Sequence, residues 1–113
     1  WMSASSGLAM ALQGKGILKQ DDKILQQAEA MFGAVLDATS RDKTPADWAN
    51  AVKNVATIQF MRGTTLMDKK MVEKSIKTFD LALEEYAKSG SFMDRMLINA
   101  MKGNAEQALG LFK

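Results

Sequence analysis

The chain is written twice. Trp1 and Trp48 stand 47 residues apart, and at that offset Ala9 falls on Ala56, Gly16 on Gly63, Asp21 on Asp68, Phe32 on Phe79 and Leu36 on Leu83. A fixed period of this size constrains the fold more tightly than composition does. It signals an array in which each unit is one supersecondary motif that cannot bury its apolar side alone and must stack on a neighbour.

Within each copy the apolar residues recur at intervals of three and four, which predicts helices. The first spans roughly 2–14, with Leu8, Ala11 and Leu12 at helical spacing, and stops at Gly14-Lys15-Gly16. The second covers about 22–39 behind Asp21 as N-cap, with Ile24, Leu25, Ala28, Met31, Phe32, Val35 and Leu36 as one stripe. After the polar connector 40–43, Thr44-Pro45-Ala46-Asp47 supplies a capping threonine, a proline in the first turn and an acid three residues on. That third helix runs to about Arg62 and breaks at Gly63-Thr64-Thr65. Asp68 caps a fourth, which buries Met71, Val72, Ile76, Phe79, Ala82 and Leu83 and carries Lys69/Glu73, Glu73/Lys77 and Glu84/Lys88 outward. Ser89-Gly90 ends it, and Ser91 and Asp94 cap a fifth over about 92–101. A Lys102-Gly103-Asn104 turn then leads to a sixth over 105–112. Such short connections force antiparallel neighbours. The predicted fold is all-α: about six helices in three antiparallel hairpins, with repeat units at approximately 1–43, 44–88 and 89–113 of a single domain.

Composition excludes whole classes of chemistry. There is no cysteine and no histidine, so thiolate chemistry, serine–histidine triads and histidine metal sites are out. A net charge of +2, spread along the chain, gives no footprint for nucleic acid; acids interleave Lys69, Lys70, Lys74 and Lys77. No apolar run approaches the roughly 20 residues of a membrane span. The segment 2–12 lacks the basic start of a signal peptide. A chain opening on tryptophan at the first residue of a repeat is expected to be a processed form or a piece of a longer array. Glu84 and Glu85 are adjacent, so they are expected on different helix faces rather than as a catalytic pair. The expectation is a protein that is not an enzyme and needs neither cofactor nor metal, its compartment left open by the lack of thiols.

The second unit resembles the tetratricopeptide repeat: Trp48-Ala49, Asn54-Val55-Ala56, Gly63, Ser75, Phe79 and Ala82 have that family's order and spacing. It is most similar to an extended variant that opens with Asp-Trp-Ala and has a longer loop between its helices. Trp1, Leu8-Ala9, Gly16, Ala28, Phe32 and Val35 repeat the pattern, and residues 103–112 resemble the tight turn and second helix of a third unit, whose first helix matches poorly at Arg95. The resemblance implies a short right-handed α-solenoid, with small residues where helices approach, Phe32, Phe79 and Phe112 as knobs between pairs, and each tryptophan packed across a unit junction. It also implies a concave groove lined by the first helix of each pair: Met10 and Gln13, then Asn50, Lys53, Thr57, Phe60 and Met61, then Met93, Leu97 and Met101. Methionines repack around varied apolar surfaces, which suits a groove for a peptide or helix. The leading expectation is a scaffold that binds a protein or peptide partner in this groove. A carboxylate clamp would use Lys53 and Asn54, but Thr57 stands where it needs asparagine. The alternatives are self-assembly, as a homo-oligomer or within a longer repeat array, through an uncapped terminal helix ending at Phe112, and a small-molecule or lipid pocket.

Overall fold

The three-and-four spacing produces five helices among the described residues: α1 (Met2–Lys19), α2 (Asp22–Asp37), α3 (Pro45–Thr65), α4 (Lys69–Ser89) and α5 (Phe92–Gly110). The computed structural model describes residues 2–19, 21–89 and 92–112, with their side chains except those of 2–6, 9, 17–19 and 89. Trp1, Gly90 and Ser91, and the packing and capping expected of them, lie outside this set. No strand occurs among the described residues.

Each helix packs on the next in sequence, and α3 also reaches α5. Gln13 of α1 donates an Nε2 hydrogen to Met61 Sδ of α3 at 3.0 Å, so α1, α3 and α5 are neighbours on one side, with α2 and α4 behind them. The molecule measures 38 × 30 × 20 Å, its least dimension being about two helix diameters.

The two hairpins turn alike. Asp21 N–H donates to Gly16 O at 3.0 Å, and one period on, Asp68 N–H donates to Gly63 O at 2.8 Å. Both aspartates then cap the helix they precede: Asp21 Oδ1 accepts from Lys23 N–H at 3.0 Å and Asp68 Oδ1 from Met71 N–H at 3.3 Å. With Met67 N–H bonded to Thr64 O, the second turn is a Schellman motif. Its left-handed position is Met67, at φ 56 the one non-glycine with positive φ among the described residues.

Glycine is required where the hairpins cross. A Cβ on Gly63 would lie 2.8 Å from Val72 Cγ2 and 3.0 Å from Val72 N, and one on Gly16 would lie 2.6 Å from Leu25 Cδ2. Leu25 and Val72 are themselves one period apart. Around these crossings the core divides in two. Leu25, Ala28, Phe32 and Ile58 form one cluster, with Leu12, Met31 and Val55 at its margin. The larger holds Val72, Phe79, Ala82, Tyr86, Ala49, Val52, Ala56, Ile98 and Ala105. Phe32 and Phe79 are fully buried as expected, and Phe112 packs half-buried against the larger cluster.

Three expected breaks are corrected. Gly14-Lys15-Gly16 lies inside α1, because the crossing at Leu25 needs a helical glycine there. Gly63-Thr64-Thr65 completes α3 for the same reason. The Lys102-Gly103-Asn104 turn does not form: α5 runs unbroken to Gly110, so the last unit contributes one helix rather than two. Ile98 and Ala105 are both fully buried and lie seven residues apart on one helical face, so a continuous helix buries both. That packing outweighs the roughly 1 kcal/mol a mid-helix glycine costs. Thr44 also departs from expectation: it stands at the N-cap of α3 without a side-chain cap bond. Its hydroxyl is engaged with Ser40, donating to the carbonyl and accepting from the amide, each at 3.0 Å.

Two predictions follow from backbone and packing. Gly63→Ala is expected to destabilise by about 1–2 kcal/mol through overpacking on Val72, whereas Gly103→Ala, where no atom lies within 4 Å of a new Cβ, is expected to stabilise by up to about 1 kcal/mol. Denaturant midpoints check the opposite signs. Met67→Gly relieves a left-handed residue worth about 1–2 kcal/mol against glycine's own entropy cost of roughly 0.5–1 kcal/mol, so a small rise in midpoint is expected.

Candidate functional site

The surface offered by α1, α3 and α5 is held in place by ion pairs that tie one copy to the next. Arg62, near the end of α3, lies over the start of α2: its Nε and Nη2 donate to the two carboxylate oxygens of Asp22 at 2.8 and 3.2 Å, and Nη1 to Glu29 at 2.9 Å. The planar fork suits this two-pronged contact as a lysine would not. The hydrogen bonds from Arg62 hold the Asp22 carboxyl below the usual aspartate range against the opposing effect of burial. Further along, Lys102 of α5 reaches Asp80 of α4 at 2.7 Å. That contact raises the lysine's affinity for its proton.

At the other end, Arg41 from the α2–α3 connection stands 4.6 Å from the centre of the Trp48 ring, a cation–π contact. It donates to Glu84 at 3.1 Å and to Glu85 at 2.5 Å. The adjacent glutamates do point differently, with Glu85 7% and Glu84 62% exposed, yet both converge on one guanidinium. Glu84 thus pairs with Arg41 rather than with Lys88, and Lys88 pairs with Glu85 at 3.2 Å, because Arg41 arrives between them from outside the helix. Hydrogen bonding from Arg41, then from Lys88, lowers the Glu85 carboxyl below its ordinary range. These groups border an open cleft of about 630 Å³ together with Pro45, Ala46, Tyr86 and Asp94. Burial, with the Asp94 carboxylate second, pushes the Tyr86 phenol upward. Arg41 and Lys88 are both paired to Glu85, and with the Trp48 ring beneath it Arg41 makes this end of the molecule a structural lock. Sequence reasoning missed it, since its partners lie more than 40 positions apart.

The expected groove residues divide. Gln13 and Met61 are in direct contact and half-buried. Met10 is 52% exposed and Leu97 52%; Asn50 and Met93 are exposed as well, and Lys53 and Thr57 half-buried. The Thr57 hydroxyl donates to Lys53 O at 2.8 Å, which turns it from solvent. Phe60 and Met101 pack half-buried against the larger core cluster, so they support the surface more than they offer it. Asn54 is buried, which removes it from any clamp with Lys53. Arg95 stands one period after Trp48, half-buried, its Nε without a hydrogen-bond partner among the described residues.

Because α5 is one helix, rows across the three helices follow the period directly. Met10, Thr57 and Asn104 make one row; Gln13, Phe60 and Gln107 a second; Asn50 and Leu97 share a third. Asn104 and Gln107, both exposed, were missed by reading a turn at Gly103; carrying the period one step further finds them.

Compared with models of protein families, with curated proteins and with solved structures, the chain matches none. No helix among the described residues is long and apolar enough to cross a membrane, and no three acidic side chains among them converge as around a metal ion.

The Asp22–Arg62 contact has a definite pH signature. A carboxyl held below its unfolded value adds stability that is fully present above that value and is lost as pH falls through the lower, folded one. Asp22→Asn is therefore expected to cost about 1 kcal/mol near neutrality, the pair being partly solvated. The gap from the parent should close on acidification through the carboxylate range, read as urea midpoints along a pH series.

Proposed function

We propose that the chain is a non-enzymatic interaction module, a tetratricopeptide-like solenoid of two helical hairpins and a further first helix, which binds a peptide or helix of another protein across α1, α3 and α5. The observation that carries this reading is the set of rows just described. Three neighbouring helices present residues one period apart, so that apolar Met10 and Leu97 and amide-bearing Asn50 and Asn104 lie on one repeating surface, with the cation of Lys53 between Asn50 and Thr57 on α3. Methionine and leucine supply adaptable apolar contact, and side-chain amides satisfy the backbone groups of an extended ligand. The paired hairpin turns, the buried phenylalanines and the glycine crossings support the repeat architecture beneath it.

The test is selection of ligands from a displayed peptide library, followed by affinity measurement. Lys53→Glu, Leu97→Glu and Met10→Glu are each expected to weaken a selected ligand by about tenfold or more, a loss of roughly 1.4 kcal/mol. Glu73→Lys, on the exposed side of α4, should leave affinity unchanged. Ligands indifferent to all three groove substitutions would remove the groove from the proposal.

A further inference from the structure

The period continues beyond the two hairpins. Gly16, Gly63 and Gly110 are spaced at 47 and 47, and α5 repeats the packing of α3 on one face only. On the side turned to the preceding unit, Ala51 and Ile58 of α3 are buried, and their counterparts Ile98 and Ala105 of α5 are buried too. The face that α3 turns to α4 is different. Ala49, Val52 and Ala56 lie in the core with Val72, Phe79 and Ala82. Gln59 Oε1 accepts from the Thr78 hydroxyl at 2.8 Å, and Gly63 presses on Val72. One period on, the corresponding residues of α5 are Met96, Asn99, Gly103, Glu106 and Gly110. All but half-buried Gly103 are exposed, and no atom lies within 4 Å of a Cβ placed on either glycine.

We infer that this open face of α5 is a docking site for one kind of occupant: an amphipathic helix of the α2/α4 type, lying antiparallel to α5 as the second helix of a third copy. Continuity with the α1–α2 and α3–α4 interfaces specifies its chemistry. It carries a branched aliphatic residue in its first turn against Gly110, as Leu25 and Val72 do against Gly16 and Gly63. A small residue follows three positions later, as Ala28 and Ser75 do, with an aromatic knob four beyond that, as Phe32 and Phe79 do. Opposite Glu106, where Gln59 meets a hydroxyl, it carries a donor. The inference rests on the repeat architecture but not on the groove, since the groove substitutions leave this face untouched.

Lys113 stands one period after Leu66, so a copy of residues 67–89 joined directly after Lys113 enters in register. In this extended chain the added helix is expected to dock. Amide exchange in α5 and in the added segment should slow by roughly tenfold or more, and the thermal midpoint should rise by several degrees. Gly110→Leu is expected to abolish both changes in the extended chain while leaving the midpoint of the 113-residue chain unaltered, which separates blocked docking from misfolding. An added segment that exchanges as an unfolded tail overturns the proposal. So does docking indifferent to Gly110→Leu. A concentration-dependent dimer of the unextended chain, dissolved by Met96→Glu, overturns it as well by giving the face to a second copy.

Discussion

The contact on which the structure depends is a helical glycine pressed against a branched side chain in the next helix's first turn: Gly16 on Leu25 and Gly63 on Val72. Without a Cβ at the crossing, the backbones approach until Val72 N lies 3.0 Å from where that Cβ would be. This proximity lets small residues further along, Ala28 and Ser75, be fully buried, and brings Phe32 and Phe79 into the space between helices rather than over it. Dispersion at such contacts is individually slight and collectively large, so a helix pair held apart at its crossing would lose contact along its whole length. The turn that follows is fixed by the same residue, because the glycine's carbonyl accepts the amide of the capping aspartate five positions on.

Between copies, orientation falls to charge. Arg62 spans from α3 to both Asp22 and Glu29 on α2, and Arg41 from the α2–α3 connection to two glutamates on α4. Pairs this close to solvent contribute little net energy once desolvation and side-chain ordering are counted. Their geometry is nonetheless directional. A fork bonded to both oxygens of Asp22 admits few angles between the helices that carry it, whereas apolar packing alone tolerates sliding. Arg41 adds a lid on Trp48, joining the indole to the end of α4. The hydrophobic clusters thus set how closely the copies pack, and the arginines set how they are turned.

The duplication was legible because its markers are chemically distinctive: tryptophan, glycine, capping aspartate and phenylalanine at one offset. Both hairpins, their N-caps at Asp21 and Asp68, and the buried phenylalanines could be read from it. The third unit was misread because local turn chemistry at Gly103-Asn104 competes with a long-range constraint, the joint burial of Ile98 and Ala105 against α4, and burial wins. Gly16 misled in the same way, since a glycine that ends a helix and one that admits a neighbour look identical until the partner helix is in place. The Arg41 lock was illegible for another reason: nothing in Arg41-Asp42 or Glu84-Glu85 announces a contact across 43 positions. Of the residues expected along the groove, Met10, Asn50, Met93 and Leu97 are exposed, while Phe60 and Met101 turn inward because large apolar side chains go where they find the most cover.

Helix α5 therefore has three faces, each set by helical geometry. Ile98 and Ala105 point back into the core, Met96, Asn99, Gly103 and Glu106 form an open stripe at spacings of three and four, and Leu97 and Asn104 continue the rows of α1 and α3. Successive residues are rotated by about 100°, so Met96 and Leu97 cannot share a face. A helix covering the stripe would leave Leu97 in its row, just as α4 covers Ala49 and Val52 while Asn50 stays exposed. A covered stripe and an open row are consequently compatible on one helix, and the burial pattern of α3, which already meets both neighbours and solvent, is the physical precedent for it.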